Sequence, residues 1–137
     1  MKTWLIDTGP LVAYLDAGDP EHTAVTERLD EFDGRLISSS AVITEAMHFV
    51  SAGAAGPRAL AEFVAASGVE IYDPTRPPEL PAVVGLMEKY HDIPMDFADG
   101  TLVLLGDVLN VRDILTLDRR GFSVYRTRRG RAFRLVL

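Results

Sequence analysis

The sequence predicts an α/β domain whose mostly parallel sheet is covered by helices on both faces. Short apolar runs (WLI, RLI, VEIY and ILTL) alternate with longer segments whose apolar residues recur at helical spacing. Glycine and proline punctuate the joins, at Gly9-Pro10, Gly18, Gly34, Gly53, Pro57 and Gly68. A chain of 137 residues that is 47% hydrophobic can build one core, so residues 1–137 are expected to form a single domain. Strands that alternate with helices require right-handed crossovers, and these give parallel pairing.

Each element has a local cause. Trp4, Leu5 and Ile6 form a short buried strand that Asp7 and the turn-forming Thr8-Gly9-Pro10 end. Pro10 suits a helix start, and that helix runs through Leu11, Val12, Tyr14 and Leu15 to Gly18. A second helix follows Asp19, with Ala24, Val25, Leu29 and Phe32 on one face up to Gly34. Arg35 to Ile37 is a second strand, and Ser38, Ser39 and Ser40 are candidates to cap the helix that carries Val42, Ala46 and Val50. Pro57 opens a fourth helix that Gly68 closes.

Val69 to Tyr72 is the third strand, and Asp73 to Pro81 reads as a proline-rich turn. A helix with Val83, Leu86 and Tyr90 then breaks at His91 to Pro94. Asp96 caps a strongly apolar helix through Leu109, Ile114 to Leu117 is the fourth strand, and Phe122–Tyr125 with Ala132–Val136 is expected as a terminal strand pair.

Composition narrows the function. With no cysteine, the chain has no disulfide and no thiolate metal site, which agrees with a reducing cytoplasm. No apolar stretch approaches the ~18 residues of a membrane helix. The net charge of −6 is unevenly spread. Residues 1–118 hold seven basic and all twenty acidic residues, a balance of −13, whereas the last nineteen hold seven arginines and no acid. Such a segment suits a polyanion or a partner protein; it also suits a solvated hairpin partly neutralised by the acidic body.

Four acids sit where open α/β sheets hold their ligands: Asp7 closes TWLID, Glu45 follows SSSAVIT, Asp99 lies in PMDFADG and Asp118 closes DILTLD. Carboxylates delivered by apolar segments are costly to bury unless a positive charge accompanies them. An all-oxygen set suits Mg²⁺, with Mn²⁺ as a substitute, and the absence of accompanying histidine or cysteine disfavours zinc. Ordinary structural roles exist for each: Asp7 as a helix cap, Glu45 as a surface residue, Asp118 as a turn residue. Asp96 and Asp99, three apart, fit a cap and its N3 partner, which leaves Asp99 as the better ligand. Thr8 and Thr116 can join the same shell, Thr116 because a strand would point it to the same side as Asp118.

Histidines 22, 48 and 91 form no i, i+4 ligand pair and read as structural or surface residues. The phosphate-binding glycine loops and the GxSxG elbow are absent.

On LIDTGPLVAYLD, the helix with Glu45, FADGTLVLLGD and ILTLDRRGF, in this order over essentially the whole chain, the sequence resembles the PIN-domain proteins, specifically the VapC-type toxin ribonucleases of type II toxin–antitoxin systems. The resemblance implies a three-layer α/β/α sandwich and metal-dependent endonucleolytic cleavage of RNA. It makes Asp7 and Asp99 the principal Mg²⁺ ligands, Glu45 and Asp118 the rest of the acidic quartet, and Thr8 and Thr116 accompanying polar positions. It also implies a homodimer held inactive by a VapB-type antitoxin. One departure is Gly100, where the family commonly has Ala, at a cost to the helix start of roughly 1 kcal/mol at most.

On this reading Arg119, Arg120, Arg126, Arg128, Arg129 and Arg131, with Arg134, are expected to hold RNA phosphates against the metal. Two other readings stay open. An aspartyl-phosphate-type Mg²⁺ domain needs a second acid beside Asp7 and a late lysine, and no Lys follows Lys89. A non-catalytic interaction module would use the arginines to bind an acidic protein.

Overall fold

The computed structural model describes residues 1–137. Its elements are β1 (Lys2–Ile6), α1 (Thr8–Leu15), α2 (His22–Glu31), β2 (Gly34–Ser39), α3 (Ser40–Ala52), α4 (Gly56–Ser67), β3 (Glu70–Tyr72), α5 (Leu80–Lys89), α6 (Phe97–Leu109), β4 (Asp113–Leu115), α7 (Arg119–Val124) and β5 (Arg134–Leu135). The strands form one sheet in the order β3-β2-β1-β4-β5, and every adjacent pair is parallel. Helices α1 to α4 pack among themselves and α5 packs on α6, as right-handed crossovers covering both faces of a three-layer α/β/α sandwich require.

Strand β1 sits at the centre because it is apolar on both faces: Trp4, Leu5 and Ile6 are all buried, and Trp4 stacks on Phe32 with ring centroids 3.9 Å apart. Helix α6 is buried almost all round, from Ala98 to Asp107, so it packs in the interior rather than on the surface. Gly100 has a packing reason: a Cβ there would lie 3.0 Å from Val83 Cγ1, so its absence lets α5 close on α6. No helix is long and apolar enough to cross a membrane.

The structure departs from the sequence expectations at several joins. Helix α1 begins at Thr8, not Pro10, because Asp7 supplies the cap, and Pro10 then sits in the first turn where its missing N–H costs nothing. Ser38 and Ser39 belong to β2, and Ser39 alone caps α3. Helix α5 starts inside the proline-rich stretch, with Pro81 in its first turn.

The expected strand pair at the C-terminus is wrong in its first half. Residues Arg119–Val124 are helical because Asp118 Oδ1 accepts the Gly121 N–H (3.0 Å). The segment Phe122–Tyr125 thus has helical rather than alternating spacing, and both aromatic rings reach the core, edge to face at 5.1 Å. A two-residue alternation would have sent them to opposite faces. Only a single antiparallel bridge, Arg126 to Ala132, survives of the pairing, and β5 instead extends the sheet in parallel beside β4.

Candidate active site

The strand order reverses at β1, whose neighbours β2 and β4 lead the chain in opposite directions, and ligand crevices of open α/β sheets form at such a switch point. Asp7 stands there. Its backbone N–H donates to Leu115 O (3.0 Å), which fixes it at the ends of β1 and β4. Its Oδ1 accepts the Thr8 N–H (2.8 Å), and its Oδ2 accepts the Thr116 hydroxyl (2.8 Å). Thr116 lies just past β4, so strand alternation does not align it with Asp118 as the sequence suggested. The turn itself does this: Thr116 Oγ1 accepts the Asp118 N–H (3.0 Å), linking Asp118 to Asp7 through one hydroxyl.

Asp99 arrives from the other side, one turn into α6. Asp96 Oδ1 accepts the Asp99 N–H (2.8 Å) and Asp99 Oδ2 accepts the Asp96 N–H (3.3 Å), a reciprocal capping box. Helix α3 is bound to α6 by the Ser39 and Thr101 hydroxyls, 2.8 Å apart and fully buried, while Ser38 donates to Ile6 O (2.9 Å). These bonds bring the helix of Glu45 against the strand of Asp7 and the helix of Asp99. Glu45 is only half-buried. Of its apolar neighbours on α3, Val42 is buried but Phe49 is 51% exposed, so Glu45 sits at a boundary and not on an inward face.

Together these residues line an open cleft of about 420 Å³. Asp7, Asp19, Glu45, Asp96, Asp99 and Asp118 contribute six carboxylates to its wall, with Val12, Phe49 and Leu117 as its apolar parts and no Lys, Arg or His. Burial, opposed by the Thr116 and Thr8 hydrogen bonds, pushes Asp7 up to about 6. Burial and the neighbouring charges of Asp7 and Asp96 push Asp99 up to about 8. Burial raises Glu45 too, helped by Asp96 and Asp7. A site that raises three carboxylates at once and contains no cation is built for a positive ligand.

The Thr8 hydroxyl, buried in the same wall, has no hydrogen-bond partner. The donor set is therefore all oxygen and includes one orphaned buried group, which fits a hard divalent ion. No three acidic or imidazole side chains are placed to hold an ion together, whereas Mg²⁺ is usually held by one or two carboxylates with its remaining positions filled by water.

The arginine segment is partly neutralised by the acidic body, one of the alternatives its composition left open. Arg128 and Arg129 both bind Asp107, at 3.0 and 3.2 Å, and Arg134 grips Asp113 through two bonds of 2.8 and 2.6 Å. Burial alone would raise Asp107, but the hydrogen bonds from Arg128 and Arg129 outweigh it and hold the carboxyl below its usual range. Arg131 donates to Asn110 Oδ1, and Arg126 donates to the carbonyls of Ser123, Val124 and Tyr125 at the end of α7.

Asp107 is eight residues from Asp99 along α6, about 12 Å away at 1.5 Å per residue. Arg128, Arg129 and Arg131 are therefore held at the far end of α6 and Arg134 at the start of β4, away from the acidic cleft. Arg119 and Arg120, exposed and directly after Asp118 in the chain, make no ion pair. None of the histidines enters the cleft: His22 and His91 bond backbone carbonyls and His48 packs its ring edge-on to Phe49.

Sequence reasoning missed two contributors, Asp19 and Tyr125. Asp19 read only as a helix start, and in the structure its Oδ1 accepts the Glu21 N–H (2.8 Å) at the cleft wall. Tyr125 read as a strand residue, yet its hydroxyl donates to Asp99 Oδ2 at 3.4 Å. Burial and the charges of Asp99 and Asp118 push that phenol well above its ordinary range, so it stays protonated.

The family model for the PIN domain matches residues 4–126. The chain belongs to the PIN-domain family. Among characterised members of VapC type, ribonuclease VapC26 of Mycobacterium tuberculosis (strain ATCC 25618 / H37Rv) is 34% identical over 134 residues, 96% of this chain and 98% of the relative. A solved PIN-like structure, that of Mycobacterium tuberculosis VapC20, described as a sarcin-ricin loop cleaving toxin, superposes with a TM-score of 0.75. That match covers 88% of this chain and 95% of the other at 14% identity, and so speaks for the shared fold. In this PIN domain the switch point of the sheet and the acidic cleft coincide.

Proposed function

We propose that this protein is the toxin component of a VapBC-type pair and cleaves RNA phosphodiester bonds endonucleolytically with Mg²⁺. Membership of the VapC type supports the nuclease reading, and the observation that carries the metal is the cluster of six carboxylates with no counter-cation around the orphaned Thr8 hydroxyl. Asp7 and Asp99 would hold the ion, with Mn²⁺ as a substitute. When bound, a divalent ion acidifies water and neutralises charge developing on the phosphate.

The remaining roles belong to the chain. Thr8 N–H and the Thr116 hydroxyl fix the two Asp7 oxygens in one orientation, and Thr116 passes that order to Asp118. Asp96 caps α6 and so aims Asp99 into the cleft. Glu45, half-exposed with its carboxyl raised, is placed to take a proton from an attacking water. Arg119 and Arg120 contact the phosphates on either side of the cleaved bond, while the other tail arginines hold the fold together. The chain acts in the cytoplasm as a homodimer, restrained by a VapB-type antitoxin.

Cleavage of a mixed RNA pool by the purified protein is the direct test. Activity is expected with Mg²⁺ or Mn²⁺ and should vanish in chelator; equal cleavage with and without metal would sink the mechanism. Replacing Arg119 and Arg120 together by Ala should weaken RNA binding and reduce the slope of log affinity against log salt by roughly 1.4 to 1.8, at 0.7 to 0.9 per phosphate contact. The same change at Arg128 and Arg129 should leave that slope intact and lower stability instead. A salt slope that responds to the second pair and not to the first reverses the assignment.

A further inference from the structure

Tyr125 is the one buried polar group touching the acidic cluster that the mechanism above leaves idle. Its ring is fully buried, set edge to face against Phe122 and Tyr90, each at 5.1 Å. The Tyr90 hydroxyl accepts the Arg126 N–H at 2.9 Å and so fixes the backbone next to Tyr125. The ring therefore has one place to be, and its hydroxyl reaches Asp99 Oδ2 from beneath the cleft.

What lets it reach that far is Gly121. A Cβ at this position would overlap Asp118 Oδ2 and lie 2.9 Å from both the Cε2 and the hydroxyl oxygen of Tyr125. The hydrogen of Gly121 is thus all that fits between the phenol and the Asp118 carboxylate, one of whose oxygens already accepts the Gly121 N–H. Gly121 and Tyr125 are four apart on and just beyond α7, and they function as a pair: the glycine vacates the space and the tyrosine fills it.

We propose that Tyr125 is a positioning residue for the metal site, donating through the gap left by Gly121 to orient Asp99 as a ligand. This rests on the metal reading of the cleft. The phenol and the Asp96 N–H both donate to Asp99 Oδ2, so the other oxygen, Oδ1, is the one left to face a cation. At 3.4 Å the phenol contact is long, and the packing of its ring on Phe122 and Tyr90 is what keeps the hydroxyl at that oxygen. Partners of this kind typically set metal affinity within a factor of 10 to 100.

The test is Mn²⁺ binding to full-length protein, read by the paramagnetic resonance of free Mn²⁺, alongside RNA-cleavage kinetics. Tyr125→Phe keeps the ring packing and should raise the Mn²⁺ Kd about tenfold, with KM for RNA at saturating metal unchanged. Gly121→Ala should displace the phenol and weaken Mn²⁺ binding at least as much, and the double variant should bind no more weakly than Gly121→Ala alone.

A Tyr125→Phe Kd equal to wild type, or additive effects in the double variant, overturns the proposal. If Asp99→Asn itself binds Mn²⁺ normally, the metal reading fails; if Asp99→Asn loses binding and Tyr125→Phe keeps it, only the role of Tyr125 fails. Should Tyr125→Phe not fold, near-ultraviolet tyrosine absorbance of the wild type must change as Mn²⁺ is added, and an unchanged spectrum overturns the proposal as well.

Discussion

Asp99→Asn is expected to abolish RNA cleavage and at the same time to make the chelated protein more stable. The loss should be about 10³-fold or greater, since the substitution removes a charge that the transition state needs at its metal. The gain has a separate cause. Asp99 is buried among Asp7 and Asp96, and this environment disfavours its charged form strongly enough to push it up to about 8. An asparagine can keep the bonds from the Asp96 N–H and the Tyr125 hydroxyl on its amide oxygen while carrying no charge.

Thermal unfolding in chelator at pH 8 should therefore give a higher midpoint for Asp99→Asn than for wild type, together with background activity. Asp7→Asn should lose as much activity with less gain in stability. Its amide oxygen can accept only one of the Thr8 N–H and the Thr116 hydroxyl; with the NH₂ facing Thr116, that hydroxyl must turn round to accept and its buried O–H loses its partner. Wild-type activity in either variant would remove that residue from the metal site.

The second large effect is a dependence of stability on pH that metal reverses. Asp7 and Asp99 have folded values of about 6 and about 8 against an ordinary 3.8, so the folded chain binds protons more tightly than the unfolded chain. Stability from this source is fully present below the unfolded value and is lost as pH rises through the two folded values. For Asp7, ionisation at high pH costs about 3 kcal/mol, from a shift of roughly two units at 1.36 kcal/mol each.

In chelator the unfolding midpoint should fall steadily between pH 5 and pH 8. Asp107, held low by Arg128 and Arg129, gives the opposite slope, but only at more acid pH. Saturating Mg²⁺ should restore the midpoint most at pH 8, where Asp7 is ionised and Asp99 is about half ionised, and by about 2.7 kcal/mol at a hundredfold excess over Kd. A midpoint that is flat from pH 5 to 8 in chelator, or insensitive to Mg²⁺ at pH 8, contradicts this account of the cleft.

Most of the fold was legible because the signals were local. WLI can only be a strand buried on both faces, Asp96 with Asp99 spells a capping box before a long apolar helix, and Gly68 ends α4 with φ of 66°. Local signals misled at the C-terminus. The run FSVY has strand-forming residues, yet the side chain of Asp118, accepting from Gly121 N–H, turns it into a helix. The sequence contains both residues but not the information about which of two local structures the core will accept. The core favours the one that buries Phe122 and Tyr125 together.

The same division runs through the site. Asp7, Asp99 and Asp118 could be singled out by position along the chain because parallel sheets gather strand ends at one edge, even though each also has an ordinary role in capping a helix. Whether a charge is paired cannot be read that way. Seven arginines in nineteen residues look unopposed in sequence, but Asp107 and Asp113, lying earlier in the chain, neutralise three of them across the fold.

Tyr125 shows the limit most clearly. A buried tyrosine can serve the core or the site, and the choice depends on a gap of one methyl group at Gly121 and on the direction of a carboxylate 26 residues away. The sequence by itself determined the α/β class and the acids at the ends of its apolar segments, because these follow from periodicity and chain order. The tertiary structure decided which charges stay unpaired and which buried hydroxyl meets them, because ion pairs and hydrogen bonds depend on distances of about 3 Å between residues far apart in the chain.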